Sequence, residues 1–159
     1  MHMSRSQPKL NAKMGLIVTS ILSLVNASVG TVIAVKENLP SVTPVLTTGK
    51  PALEDFLTGN GTALSPPLYL CIVTLLLILL AFQPKWPGMV GVVGLTMLGV
   101  IFLLGEFVET NTYRALNPVT FNLPVALVIL VEIVLALLMI AFGGITIIQE
   151  RQAHHHAAR

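Results

Sequence analysis

The sequence predicts an all-α integral membrane protein, with four transmembrane helices in an antiparallel bundle. The first observation is composition, because 54% of the 159 residues are hydrophobic and only 10% are charged, with a mean hydropathy of +0.84. A soluble domain carries about 25% charged residues, so this chain cannot cover itself with a polar surface. The second observation is that apolar residues gather into four segments, and three of them reach the roughly 20 residues that a membrane-spanning helix needs.

The boundaries of the predicted spans follow the ends of these apolar segments. The spans cover residues 14–35, 66–83, 89–108 and 123–148. Around them lie a cytoplasmic N-terminal segment (1–13), an extracytoplasmic loop (36–65), a cytoplasmic turn (84–88), a second extracytoplasmic loop (109–122) and a cytoplasmic tail (149–159). The first loop is the longest connection, and it is predicted to contain a short helix.

The first span follows a basic N-terminal segment, and this sets the predicted orientation. Lys and Arg near the ends of spans favour the cytoplasmic side. With the N-terminus inside, most of the Lys and Arg residues fall on that side, so we expect both termini there. These cytoplasmic residues are Arg5, Lys9, Lys13, Lys85, Arg151 and Arg159. A second reading makes residues 1–34 a cleaved signal peptide, but the apolar run is longer than the roughly 7 to 15 residues of a signal core.

The short helix of the first loop is predicted from the stretch KPALEDFLTGNG. Pro51 suits a first helical position, and Gly59 suits the residue that ends a helix. Leu53, Phe56 and Leu57 are spaced so that they share one face of this helix. We expect that apolar face to lie on the membrane surface or to cap the bundle.

The second span is the shortest, and prolines at both of its ends fit a helix that starts and stops at the bilayer faces. Only a short turn separates it from the third span, so these two spans must be antiparallel neighbours. Trp86 in this turn suits the level of the lipid headgroups. Because the second span is almost entirely apolar, we expect it to face lipid, while the other three spans pack through stripes of small and polar residues.

Glu132 lies near the middle of the fourth span, where an unpaired charge costs about 2.5 kcal/mol or more. Its helical face is otherwise formed by small and apolar residues, namely Val125, Val128, Ala136, Met139 and Gly143. Small residues let a second helix approach closely, so we expect Glu132 to face protein rather than lipid. No Lys or Arg lies inside any span, and we therefore expect the carboxyl group to be largely neutral.

Asn26 is the predicted partner of Glu132. Asn26 lies nine residues from the extracytoplasmic end of the first span, and Glu132 lies nine residues from the same end of the fourth span. At the rise of a helix, both are therefore about 14 Å deep, and we expect their side chains to bond. Ser23 and Thr19 lie on the same stripe of the first span, and Ser23 is a second candidate partner of the carboxyl group.

Glu106 is the last candidate site residue. It lies within one turn of the extracytoplasmic end of the third span, so it can reach water or pair with Arg114 or Lys36. At that position a charge costs little, and we expect Glu106 to be an anchor at the membrane interface.

Two functions fit an intramembrane glutamate. In the first, Glu132 makes a hydrogen bond that fixes the register of two helices, and the chain is a small non-catalytic subunit or scaffold of a larger membrane complex. In the second, the chain is a small oligomeric carrier or channel, and Glu132 takes up a proton or cation, because membrane carboxylates often mark ion pathways. We expect the first. The partners are then the lipid bilayer and other membrane subunits or further copies of the chain.

The motifs predict neither an enzyme nor a cofactor nor a metal site. The sequence has no glycine motif for phosphate, no His-Glu zinc signature and no Gly-x-Ser-x-Gly elbow. All four histidines lie near the termini, and the run at residues 154–156 is read as a solvated tail or a tag remnant rather than as metal ligands. The net charge of +2 is too small to indicate nucleic acid as a partner. Asn60, followed by Gly61 and Thr62, fits the acceptor pattern for N-glycosylation.

Overall fold

A computed structural model describes residues 8–42 and 49–157, with side chains described for residues 12–42 and 49–153. These residues form helices and no β-strand. The helices are α1 (Pro8–Glu37), α2 (Ala52–Thr58), α3 (Leu68–Phe82), α4 (Lys85–Val108), α5 (Thr110–Leu116) and α6 (Leu123–Ala157). Three stretches are long and apolar enough to cross a membrane, namely Ala12–Glu37, Lys85–Val108 and Leu123–Ala153, and α3 is a shorter apolar helix. The prediction of an all-α integral membrane protein is confirmed at this level.

All three long helices extend beyond the predicted spans, and α1 does so at both ends, from Pro8 to Glu37 rather than over residues 14–35. The helix α4 begins at Lys85, inside the stretch expected to be a turn. Pro87 permits this earlier start, because it falls in the first turn of the helix, where a missing N–H removes no hydrogen bond. The helix α6 continues through the predicted tail to Ala157. Gln, Glu, Arg and Ala are good helix formers, so the backbone remains helical after the apolar residues end. With 35 residues, α6 is about 52 Å long. The side chains of residues 154–156 lie outside the described residues.

The short helix α2 occurs where it was predicted, with Gly59 as its C-cap and Pro51 at the N-cap rather than at the first helical position. Its buried residues are Ala52 and Asp55, not the apolar face. Leu53 and Leu57 are each about half exposed. Phe56 is half-buried and lines a pocket together with Leu24 of α1 and Leu68 of α3. Part of the apolar face therefore lies against the other helices, and the membrane surface remains the expected environment of Leu53 and Leu57.

The helix α5 lies in the second loop, where the sequence indicated only a polar connection. Its N-cap is Glu109, whose side chain accepts a hydrogen bond from the backbone N of Asn111. Thr112 and Ala115 form its buried side. A helix of seven residues is too short to be stable alone, so α5 depends on contacts with the rest of the molecule.

The helix α6 packs against both α1 and α4, and α4 in turn packs against α3. We call the side with the link between α3 and α4 the turn end, and the side with residues 38–42, 49–67 and 109–122 the loop end. One apolar cluster joins α1, α3, α4 and α6 and includes Leu16, Ile78, Leu95 and Met139. A second cluster lies at the loop end and includes Ala34, Leu64, Ala115, Val125 and Ile129.

The helix α3 is buried on one side only. Thr74, Ile78 and Ala81 face the interior, whereas Ile72, Leu76 and other leucines are exposed. An apolar side that no part of the described chain covers is the side expected to meet lipid. The other side packs on α4, so α3 belongs to the core as well as to the lipid-facing surface.

Candidate functional site

Glu132 lies on α6 between the two apolar clusters and is only 5% exposed. Its carboxyl group accepts two hydrogen bonds from α1. Ser23 Oγ donates to Oε1 at 2.6 Å, and Asn26 Nδ2 donates to Oε2 at 2.9 Å. The structure thus brings Glu132 together with both of its candidate partners, Asn26 and Ser23. Each carboxyl oxygen has its own donor, so the group is bonded within the chain.

Asn26 makes a second contact with α6. Its Nδ2 atom also donates to the backbone oxygen of Val128 at 3.1 Å. Val128 lies one helical turn from Glu132, so a single amide spans one turn of the neighbouring helix. These contacts form a polar layer between α1 and α6, and they fix how the two helices are aligned along their axes.

The residues that share the face of Glu132 are buried in the structure. These residues are Val125, Val128, Ala136, Met139 and Gly143. On α4, the face of Glu106 is also buried, through Gly88, Val92, Leu95, Gly99 and Phe102. The prediction that Glu132 faces protein is therefore confirmed. The small residues allow helices of the same chain to approach each other closely, because a Cβ at Gly99 would meet Met139 and one at Gly143 would meet Thr96.

Thr19 does not join the polar layer. Its Oγ1 atom donates to backbone oxygens of its own helix, to Gly15 at 2.9 Å and to Leu16 at 3.0 Å. A threonine in an apolar helix commonly satisfies its hydroxyl in this way. Thr19 is buried one turn from Ser23, but it has no direct role at the carboxyl group of Glu132.

Glu106 lies near the loop end of α4 and is partly buried. Its Oε2 atom accepts a hydrogen bond from Thr112 Oγ1 at 3.4 Å. Of the partners considered for Glu106, neither Arg114 nor Lys36 forms an ion pair with it among the described residues, whose ion pair joins Lys50 and Glu54 at 3.2 Å. Glu106 instead contacts α5 through Thr112.

Glu109 is a site residue that the sequence did not indicate. It is 6% exposed, and it holds a segment of the first loop. Ser41 Oγ donates to Oε2 at 2.8 Å, and the backbone N of Val42 donates to Oε1 at 3.0 Å. Asn111 adds donors from its backbone and its side chain, each at 3.2 Å. Ser41 and Val42 come from a distant part of the chain, so no local pattern could reveal these two partners.

A cavity of about 290 Å³ lies at the loop end between α3, α4 and α6. The side chains of Glu106, Glu109 and Glu132 all line it. Its polar lining also includes the hydroxyl residues Ser41, Thr62 and Ser65. The cavity therefore connects the polar layer of α1 and α6 with the loops. Within the described residues, no three His, Cys, Asp or Glu side chains converge closely enough to hold a metal ion.

Comparison with protein-family models, curated protein sequences and solved structures finds no match to this chain. The geometry alone therefore indicates what the site can do. The polar layer can align two helices, and the cavity at the loop end presents carboxyl and hydroxyl groups that could bind a polar ligand.

Proposed function

We propose that this protein is a small non-catalytic subunit or scaffold of a larger membrane protein complex. The observation that supports this most is the bonding of Glu132, because both of its oxygens accept hydrogen bonds from α1 of the same chain. A carboxyl group in an apolar segment is costly, and here it serves to align two helices. A rigid, aligned bundle with an apolar exterior suits a structural component.

We also propose that four helices cross the membrane as an antiparallel bundle, with both termini in the cytoplasm. The helix α3 has 15 residues and is about 22 Å long, which is less than the roughly 30 Å of the bilayer core. Pro67 and Gln83 are extended at its two ends, so the flanking residues add to its reach. Lys13, Lys85 and Arg151 line one pocket at the turn end, and basic residues favour the cytoplasmic side.

A partner subunit would need a surface that the chain does not use itself. The expected stripes on α1, α4 and α6 are mostly covered within the chain, so they do not serve this purpose. Gly144 on α6 is not covered by the rest of the chain in this way, because a Cβ built there would meet nothing within 4 Å. Ala141 and Ile148 are exposed on the same side of α6. A small residue flanked by apolar side chains allows a helix of another subunit to approach closely.

The test is native mass spectrometry of the protein extracted gently from its own membranes. We expect recovery in a stoichiometric complex with other polypeptides. Gly144→Leu should lower recovery of that complex by about tenfold or more, because forcing bulk into a close contact costs about 1 to 3 kcal/mol. Gly144→Ala, which keeps the residue small, is the matched control. Recovery of the native protein as a lone chain would overturn the proposal.

The cavity favours a second candidate, a small oligomeric carrier or channel coupled to protons or cations. Glu132 lines this cavity together with two other glutamates, so a cation arriving from the loop end would meet carboxyl groups. In this case, Glu132→Gln should abolish pH-dependent flux in proteoliposomes while the protein still folds. Glu54→Gln changes the same charge at an exposed position and should leave flux intact. Undiminished flux in the Glu132→Gln protein would exclude this candidate.

A further inference from the structure

A second pocket, of about 450 Å³, lies at the turn end, where α1, α4 and α6 come together. Three basic side chains line it, and each comes from a different helix: Lys13 from α1, Lys85 from α4 and Arg151 from α6. Residues so distant in sequence meet here only because the helices fold together. The pocket is separate from Glu132 and its partners.

The positive charge of this pocket is not neutralised within the described residues. Glu150 is the acidic residue among those that line it, so three positive charges face one negative charge. The one ion pair of the described residues, Lys50 with Glu54, lies at the loop end. Lys13 Nζ donates to the backbone oxygen of Gln83 at 3.4 Å, which is a neutral and long contact. An anion would therefore find uncompensated positive charge here.

The start of α4 adds to this attraction. This helix of 24 residues begins at Lys85, and no side chain caps its first turn. Pro84 and Pro87 have no N–H, so the free donors at this helix start are the backbone N–H groups of Lys85 and Trp86. Free N–H groups at the start of a helix carry a partial positive charge, and they favour anions such as phosphate. The cations and the helix start thus act on the same pocket, although they arise from different features of the chain.

Most of the remaining lining of the pocket is apolar, and Thr146 is the further polar residue in it. Met89 and Val92 form part of its wall, and Trp86 borders it with a side chain that is 77% exposed. Tryptophan is enriched where lipid headgroups meet the acyl chains. A lining with a basic side and an apolar side matches an amphiphile better than a small ion. Basic pockets between membrane helices are suited to the headgroups of acidic lipids.

We propose that this pocket binds the phosphate of an anionic phospholipid, with Lys13, Lys85 and Arg151 around the phosphate and an acyl chain along Met89. The site does not depend on the function proposed above. A free phosphate ion shares the same chemistry, and the experiment below separates the two sources.

The test uses the full-length protein in nanodiscs of phosphatidylcholine that contain a minor fraction of phosphatidylglycerol. Native mass spectrometry then counts the phosphatidylglycerol molecules that the released protein retains. The variant Lys85→Gln/Arg151→Gln should lose affinity by about 30-fold, because each Lys or Arg near an anionic surface contributes about 1 kcal/mol. The control Lys36→Gln/Arg114→Gln removes the same charge at the loop end and should retain the lipid as the native protein does.

A parallel titration with inorganic phosphate, in nanodiscs of phosphatidylcholine alone, identifies the source of the phosphate. A rise in Tm with phosphate in the native protein, absent in Lys85→Gln/Arg151→Gln, would support the site with a soluble ion as its ligand. Retention of phosphatidylglycerol without that rise would support the lipid. Equal loss of lipid in the two double variants, or no response to either ligand, would overturn the proposal. Lys85→Arg keeps the charge and should behave as the native protein.

Discussion

Glu132→Leu is expected to lower the free energy of unfolding by about 1 to 3 kcal/mol. Leucine fills a similar space, but it accepts no hydrogen bond. Ser23 Oγ and Asn26 Nδ2 would then lose their partners at a buried position between α1 and α6. Asn26 would keep one contact, to the backbone oxygen of Val128, which limits the loss. The measurement is equilibrium unfolding in one detergent, with a cross-link between α1 and α6 as a second readout.

Glu132→Gln is the control for this prediction. The glutamine amide can accept from Asn26 and donate to Ser23, so both contacts between the helices are kept. We expect its stability to lie within about 0.5 kcal/mol of the native protein, which is typical when a hydrogen bond is preserved. If the leucine variant were as stable as the glutamine variant, the polar layer would have no role in fixing the helices.

Gly91→Ala is expected to destabilise the protein by about 3 kcal/mol or more, through loss of packing between α3 and α4. A Cβ at Gly91 would lie under 3.0 Å from three backbone atoms of α3, namely N and Cα of Ala81 and O of Leu77. Backbone atoms cannot escape by changing a rotamer, so the helices must separate. Thermal unfolding in detergent measures the effect.

Gly105→Ala is the matched control on the same helix. A Cβ at this position would meet nothing within 4 Å, so it adds no clash. Alanine is favoured over glycine in a helix by up to about 1 kcal/mol, and this variant should be as stable as the native protein or slightly more so. Similar losses of stability in the two variants would show that helix packing at Gly91 is not the cause.

The helices and their buried faces could be predicted because they depend on local periodicity. The helical spacing placed Glu132 among Ala136, Met139 and Gly143, and all of them are buried. The shared depth of Asn26 and Glu132 also needed only the rise of a helix and the ends of two apolar segments. Such features are repeated along one segment, so the sequence displays them directly.

The features that could not be predicted depend on contacts between distant segments. Glu109 is buried because residues 41 and 42 of the first loop return to it, and α5 forms next to it. The far end of α6 was missed for a different reason. The apolar pattern stops at Ile148, but the backbone hydrogen bonds of a helix do not require apolar side chains, so α6 continues to Ala157.

The two-residue link between α3 and α4 has a consequence for how the chain is made. Gln83 and Pro84 form the whole link, so the end of α3 and the start of α4 must stay close together. The helix α3 is also short for a span on its own, and its partner fits it closely through Gly91. If α3 crosses the membrane as we propose, α3 and α4 should therefore leave the translocon together during biosynthesis, as a helical hairpin that enters the bilayer in one step.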